Sequence, residues 1–256
     1  MHSFTEENYL KVIYHLSQLS SNAVQTNAIA ERMNTRAASV TDMLKKLADK
    51  KLIDYIRYQG VTLTENGEAT AVKVVRKHRL WEVFLVEKLK FGWDEVHDIA
   101  EELEHINSAV LVERLDAFLD FPKRDPHGDP IPDKNGIFEP SLNIHLNEML
   151  VGSKGMIIGV SEYAPSFLRH LERLGLTIGI NLEIIEITDY DGSVELRVDE
   201  TSKNITVNNN GLNDQRKSAG IKDDHAKSIN AAQQSNTHEK RVNVSREVAQ
   251  HILIKL

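Results

Sequence analysis

Five of the six prolines in this 256-residue chain lie between Pro122 and Pro140, in the run FPKRDPHGDPIPDKNGIFEP. Proline locks φ and removes a backbone donor, so a segment with one every few residues forms neither a helix nor a central strand. It must be a connector, and it divides the chain in two. Upstream, apolar residues recur at helical spacing, whereas short runs downstream read as strands. The expected fold class is α+β, mainly α.

Residues 5–19 (TEENYLKVIYHLSQL) predict a helix with Tyr9, Val12, Ile13 and Leu16 on its apolar face. Thr26 is placed to cap a short second helix, NAIAERM, and RAASVTDMLKKLADKK reads as a third after the Asn34-Thr35 break. Two short helices across a tight connection form a helix-turn-helix. LIDYIRYQGVTLT then reads as a hairpin around Tyr58-Gln59-Gly60, completing a winged helix over residues 1–73. A long helix from Glu65 to Lys90, one from about Asp94 and one from about Ser108 to Leu119 supply a helical domain over residues 74–121.

Residues 122–150 are the proline-rich linker. Over residues 151–256, GMIIGVSEYA, NLEIIEIT, SVELRVDE and KNITVNN predict the strands of a small β-barrel, with SFLRHLERLGL helical between the first two. Residues 208–240 hold no aromatic and few aliphatic side chains. Such a stretch cannot bury enough surface to offset chain entropy, so a flexible polar insertion is expected, with His225 and His238 solvated. Ser245 is placed to cap a short helix before a final strand.

The chemistry concentrates between His78 and His105. On a helix, residues three and four apart share a face, so His78 and Glu82 lie together, as do His97, Glu101, Glu104 and His105. Two such faces packed together make a cage of imidazoles and carboxylates, the donor mixture that suits manganese, iron, zinc or nickel. Trp81, Phe84, Leu85, Ile99, Leu103 and Ile106 place this cage beside an apolar core. The chain has no cysteine, which excludes disulfides, thiolate nucleophiles and Cys-ligated zinc, so any metal is held by N and O donors. No apolar run is long enough to span a bilayer and the acidic start is unlike a signal peptide, so a cytoplasmic protein is expected.

The net charge of -7 argues against a nucleic-acid partner until its distribution is read. Residues 1–75 carry nine Lys and Arg against eight Asp and Glu, so the acidity lies downstream. The third helix opens with Arg36, Ala38, Ser39, Thr41 and Asp42, small and polar side chains that a recognition helix presents to base edges. Lys45, Lys46, Lys50, Lys51 and the hairpin's Arg57 supply cations for phosphates. Asp42 fits only if it accepts from a cytosine amino group.

Assembled in this order, ERMNTRAASVTDMLKKL, VTLTENGE, VRKHRLWE, HDIAEELEHI and the HGDPIP loop resemble the DtxR/MntR family of metal-dependent transcriptional repressors over essentially the whole chain. The resemblance implies a winged helix, a helical domain for dimerisation and metal binding, and an SH3-like (FeoA-type) C-terminal domain. It also implies a homodimer that binds divalent metal and then double-stranded operator DNA of metal-uptake genes, with no membrane and no small organic ligand. Its primary metal site would fall on Glu101, Glu104 and His105 with Asn8 from the first helix, and its second site on His78, Glu82 and His97. In the manganese branch the position of His78 instead joins Glu101, Glu104 and His105 around paired ions.

Two departures bear on the metal. Iron-sensing members typically carry cysteine where this chain has Glu101, and a carboxylate there favours Mn(II), with Fe(II) the alternative. Asn8 and Lys11 stand where manganese sensors usually carry carboxylates; Asn8 offers only a neutral carbonyl oxygen, and a charged Lys11 offers no lone pair. Glu162 is the nearest candidate for a ligand from the C-terminal domain. Tyr9, Trp81, Phe84, Leu111, Leu115 and Phe118 are expected in the core or a dimer interface. The rival reading, a dinuclear metal hydrolase, wants a substrate-binding loop or an activated nucleophile, and neither is legible; the chain reads as no enzyme.

Overall fold

The computed structural model describes residues 2–19, 23–140, 142–199 and 239–256. The chain forms two compact units, Met1–Ser141 with Glu162–Arg169, and Leu142–Ser161 with His170–Leu256.

In the first unit, α1 (Phe4–Leu19), α2 (Thr26–Arg32) and α3 (Ala37–Asp49) precede a hairpin of β1 (Ile53–Ile56) and β2 (Gly60–Leu63). Leu10, Ile13, Ile29, Val40, Leu44, Leu47 and Val61 have no exposed surface and form the core of this winged helix. The hairpin is tied back by Val24, which pairs with Val61 in an isolated bridge. That bridge corrects the expected cap of α2. Gln25 is still extended (φ -79°, ψ 141°) and is itself the N-cap, so Thr26 is the first helical residue rather than the cap. Gln25 instead donates from Nε2 to the carbonyl of Gln59 in the wing, at 3.0 Å.

Helix α4 (Glu65–Glu87) runs on from the wing, with the Thr64 hydroxyl accepting from the Gly67 amide. α5 (Val96–Leu103) and α6 (Ala109–Phe118) follow. Leu85, Val96 and Ala100 seat α5 on α4, and Leu80, Val83, Leu115 and Leu119 seat α6. Leu111 and Phe118, expected in a core or an interface, are exposed at 38% and 63%, beside exposed Val110 and Phe121. The proline-rich segment forms no helix or strand but folds back along α4. Ile131 is buried against Leu80 and Leu115, and Arg76 and Arg79 donate to the carbonyls of Pro132 and Pro130.

α7 (Pro165–Leu174) spans the division at Arg169. The second unit is an antiparallel sheet in the order β3-β8-β4-β5-β6-β7: β3 (Ile144–His145), β4 (Lys154–Val160), β5 (Asn181–Ile187), β6 (Val194–Asp199), β7 (Glu239–Val244) and β8 (Ile252–Lys255). Register shifts between β4 and β8 and between β5 and β6 bend it in the manner of an SH3-like domain. Ser245 caps α8 (Arg246–Ala249), its hydroxyl accepting from the Val248 amide. β3 and β7 were not anticipated. Glu239 and Lys240, read as the end of the insertion, open β7, which pairs with β6 along its whole length. The strand expected at KNITVNN, most of the polar insertion, and His225 and His238 lie outside the described residues.

Gly67 provides a direct test of the wing's junction with α4. A Cβ there would lie 1.8 Å from the Leu52 carbonyl oxygen, which is backbone already accepting from Thr64. Alanine in a helix is favoured over glycine by about 1 kcal/mol, yet an overlap this deep cannot be relieved by a rotamer. Gly67→Ala is therefore expected to destabilise by about 2 kcal/mol or more, read as a lowered midpoint in urea unfolding; an unchanged or raised midpoint would contradict this packing.

Candidate metal centre and nucleic-acid interface

The His78–His105 segment delivers its donors to one place, though not on two regular helix faces. α5 stops at Leu103, and Glu104 and His105 lie in the turn that follows. The turn drives both inward. Glu104 has no exposed surface and His105 only 7%, whereas His97 is exposed and Glu101 half-buried on α5 itself.

His78 and Glu82, one turn apart on α4, join the parts. His78 donates from Nδ1 to Glu104 at 2.7 Å and from Nε2 to Glu82 at 3.0 Å. His97 Nδ1 lies 3.5 Å from Glu82, its Nε2 3.7 Å from Glu101, and its ring meets that of His78 edge-on at 4.9 Å. His78, His97 and Glu101 thus bring one ligand atom each within 4.8 Å of one another. Burial alone would push the His78 imidazolium down, but its hydrogen bonds to Glu104 and Glu82 outweigh burial and hold it at about 9. Burial likewise works against the Glu82 carboxylate, yet bonds from His127, His78 and His97 keep it well below the usual carboxylate range.

Helix α1 closes the other side. Glu7, buried, accepts from His105 Nδ1 at 2.8 Å, which leaves Nε2 turned toward Glu104, 3.8 Å away. A carboxylate fixing a histidine's second nitrogen is the usual support of a metal-ligating imidazole. Asn8 Oδ1 is buried without a hydrogen-bond partner among the described residues, as an oxygen reserved for a cation would be. Lys11 sits among the carboxylates, 2.6 Å from Glu101 Oε1 and 2.6 and 2.8 Å from the two oxygens of Glu104.

A second cluster was not read from the sequence. Glu82, Asp125 and His127, all buried, each bring a ligand atom within 4.8 Å of the others. Asp125 and His127 come from the proline-rich segment, where Asp125 Oδ1 accepts from the amides of His127 and Asp129 at 2.9 and 3.0 Å. His127 Nε2 donates to the Trp93 carbonyl at 2.7 Å, so Nδ1 faces Glu82, 3.6 Å away. Burial, reinforced by the charges of Asp129 and Glu82, pushes Asp125 up to about 7. The D-x-H spacing in that loop was the available signal, hidden by reading the prolines as a mere connector. Glu162 joins neither cluster; its carboxylate accepts from the Ala164 amide. Nitrogen and oxygen donors, an orphaned amide oxygen and buried carboxylates together fit a divalent ion of intermediate hardness.

Arg36 at the N-cap of α3 and Ala38, Ser39, Asp42, Lys45 and Lys46 along it are exposed, and Thr41 is half-exposed with its hydroxyl bonded to the Ala37 carbonyl. Asp42 is paired with Lys45 at 3.2 Å, and Arg57 stacks its guanidinium on Tyr58 in the wing. Lys50, expected as a phosphate contact, is held by Glu6 of α1 at 2.7 and 2.9 Å.

Comparison with known proteins adds three family models: the iron dependent repressor N-terminal DNA binding domain over residues 1–61, the iron dependent repressor metal binding and dimerisation domain over residues 64–133, and the FeoA domain over residues 144–208. The iron-dependent repressor IdeR of Mycobacterium tuberculosis is 35% identical over 128 residues, 50% of this chain and 55% of that protein. The HTH-type transcriptional regulator MntR of Oceanobacillus iheyensis is 32% identical over 119 residues, 46% of this chain and 80% of that protein. A solved structure of a manganese-dependent transcriptional repressor in complex with manganese is 32% identical, with a TM-score of 0.75 over 97% of this chain and 98% of its own. The chain thus spans about half the length of the mycobacterial relative and nearly all of the solved repressor.

The buried network carries a pH signature in metal-free protein. His78 is raised in the fold, so its contribution is complete below 6.5 and is lost as pH climbs through about 9. Asp125, raised from 3.8 to about 7, opposes folding increasingly across that lower range. Stability should therefore fall between pH 7 and 9, and His78→Gln should flatten that part of the profile, as followed by urea midpoints at a series of pH values. A slope that His78→Gln leaves intact would assign it to other groups.

Proposed function

The chain belongs to the iron-dependent repressor family, that of the DtxR and MntR repressors, and from that premise we propose that it is a divalent-metal-responsive repressor with Mn(II) as its ion. The observation that carries the reading is a continuous buried chain of donors, His105–Glu104–His78–Glu82–His127, linking two clusters across α4, α5 and the proline-rich loop. One group of donors is Asn8, Glu101, Glu104 and His105; the other is His78, Glu82 and His97 with Asp125 and His127. Glu101, a carboxylate in place of a softer thiolate, supports manganese. Fe(II) remains the ion to compare, since IdeR is named as iron-dependent.

When bound, the ion supplies a divalent charge that ties α1 to α4 and α5. The chain's own residues convert that tie into a DNA-binding state. Glu7, on α1, orients His105, while Glu6, the preceding residue, holds Lys50 at the C-terminal end of α3. A change in the seating of α1 is thereby felt at the recognition helix. Arg36, Ala38, Ser39, Thr41 and Asp42 are the side chains assigned to base edges, with Lys45, Lys46 and Arg57 on phosphates. The exposed Val110, Leu111, Phe118 and Phe121 support a homodimer. A dimer presents two recognition helices to half-sites roughly 34–36 Å apart. No helix among the described residues is long and apolar enough to cross a membrane, in keeping with a cytoplasmic regulator. Metal and operator would be coupled, each raising affinity for the other by the same factor.

Fluorescence anisotropy of a fragment from the protein's own promoter region, at fixed salt, tests this reading. Binding should be weak without metal, tighten by about tenfold or more with Mn(II), and lose that response in Glu104→Ala. A stronger response to anaerobic Fe(II) would reassign the ion, and metal-independent binding would demote both clusters to structural roles.

A further inference from the structure

We propose that Lys11 sets the affinity of the Glu101–Glu104–His105 donors: its ammonium is a resident cation there, and a divalent ion enters only by displacing it. The inference rests on the metal-binding reading above.

An ammonium has three N–H donors, and Lys11 Nζ has three carboxylate oxygens around it, Glu101 Oε1 at 2.6 Å and both oxygens of Glu104 at 2.6 and 2.8 Å. Its hydrogen-bonding capacity is met by the same oxygens a metal would use. Lys11 is only 7% exposed and Glu104 fully buried, so neither charge is compensated by water. Lys77 repeats the arrangement more loosely, 3.8 Å from Glu7, so two ammonium groups neutralise the α1 side of the cluster.

The Glu82, Asp125 and His127 group differs. No lysine pairs with these residues among the described contacts, and Arg79 reaches Asp125 Oδ2 from Nε at 3.5 Å. The carboxylates of that group are met by imidazoles, from His78, His97 and His127, and by Arg79. At the α1 side an ammonium itself sits among the donor oxygens. Displacement is feasible because lysine is a compact charge on a flexible stem. It costs the ammonium three charge-assisted hydrogen bonds, and that cost is subtracted from the ion's affinity. Lys11 thereby sets the metal concentration at which these donors exchange an ammonium for a divalent ion.

The test is titration of metal-free, full-length protein with Mn(II), following the free ion by electron paramagnetic resonance, together with thermal unfolding before metal is added. Glu104→Gln identifies which class of bound ions belongs to these donors. Lys11→Met should tighten that class by at least about tenfold, since a neighbouring like charge in a protein is worth several times RT. It should leave the remaining class unmoved and lower the melting temperature of the metal-free protein, a loss that Mn(II) reverses. Lys11→Arg, which keeps a cation, should stay within a few-fold of the parent protein. If Lys11→Met does not fold, Lys11→Gln must show the same tightening. Unchanged or weaker Mn(II) binding in a folded neutral variant would overturn the role of Lys11 while leaving the metal sites standing. Absence of Mn(II) binding in every form would overturn both.

Discussion

Glu104 has no contact with water, and a buried carboxylate is tolerable only where its charge is met by cations and hydrogen bonds. The partners that meet it come from different parts of the chain: Lys11 from α1 and His78 from α4, while Glu104 itself stands where α5 ends. Satisfying this one group brings three helices to a common point. Glu82 repeats the condition on α4, at 2% exposure, with His78, His97 and His127 around it. The two carboxylates share His78, which bonds one through each ring nitrogen.

Helix α1 reaches both the cluster and α3 because adjacent helical residues point about 100° apart. Glu7 and Lys11, four residues apart, share the face toward His105, Glu101 and Glu104. Glu6 turns away from that face to Lys50 at the C-cap of α3. The path from the donors to α3 is therefore one helical turn and one ion pair. It runs through packed, charge-assisted contacts rather than through a mobile loop.

Much of the fold was legible because its signals are local. Helical periodicity marked α1, α3, α4 and α6, and alternation marked β4, β5 and β6. The misreadings have physical causes. Thr26 looked like a cap, but the Val24–Val61 bridge holds the preceding residue extended and moves the helix start. β7 was missed because EKRVNV carries weak alternation and is a strand by virtue of pairing with β6. Prolines rightly forbade regular structure between α6 and β3, yet they said nothing about whether that segment would pack. It packs closely, and Asp125 and His127 become buried donors.

Reading along the chain yields most of the helices and strands, though neither β3 nor β7, the exclusion of thiolate ligands, and short-range pairs such as His78 and Glu82 that share a turn. The long-range pairings come from packing. Lys11 and Glu104 are 93 residues apart, His105 and Glu7 98, and Arg79 and Asp129 50. No periodicity links positions so distant, because periodicity reports one element's own geometry. Charge neutralisation, in contrast, is a condition on whatever the packing of separate elements brings within a few ångströms. Read along the chain, a lysine is a solvated cation, and only the closure of α1 on α4 and α5 sets Lys11 among the carboxylates of Glu101 and Glu104.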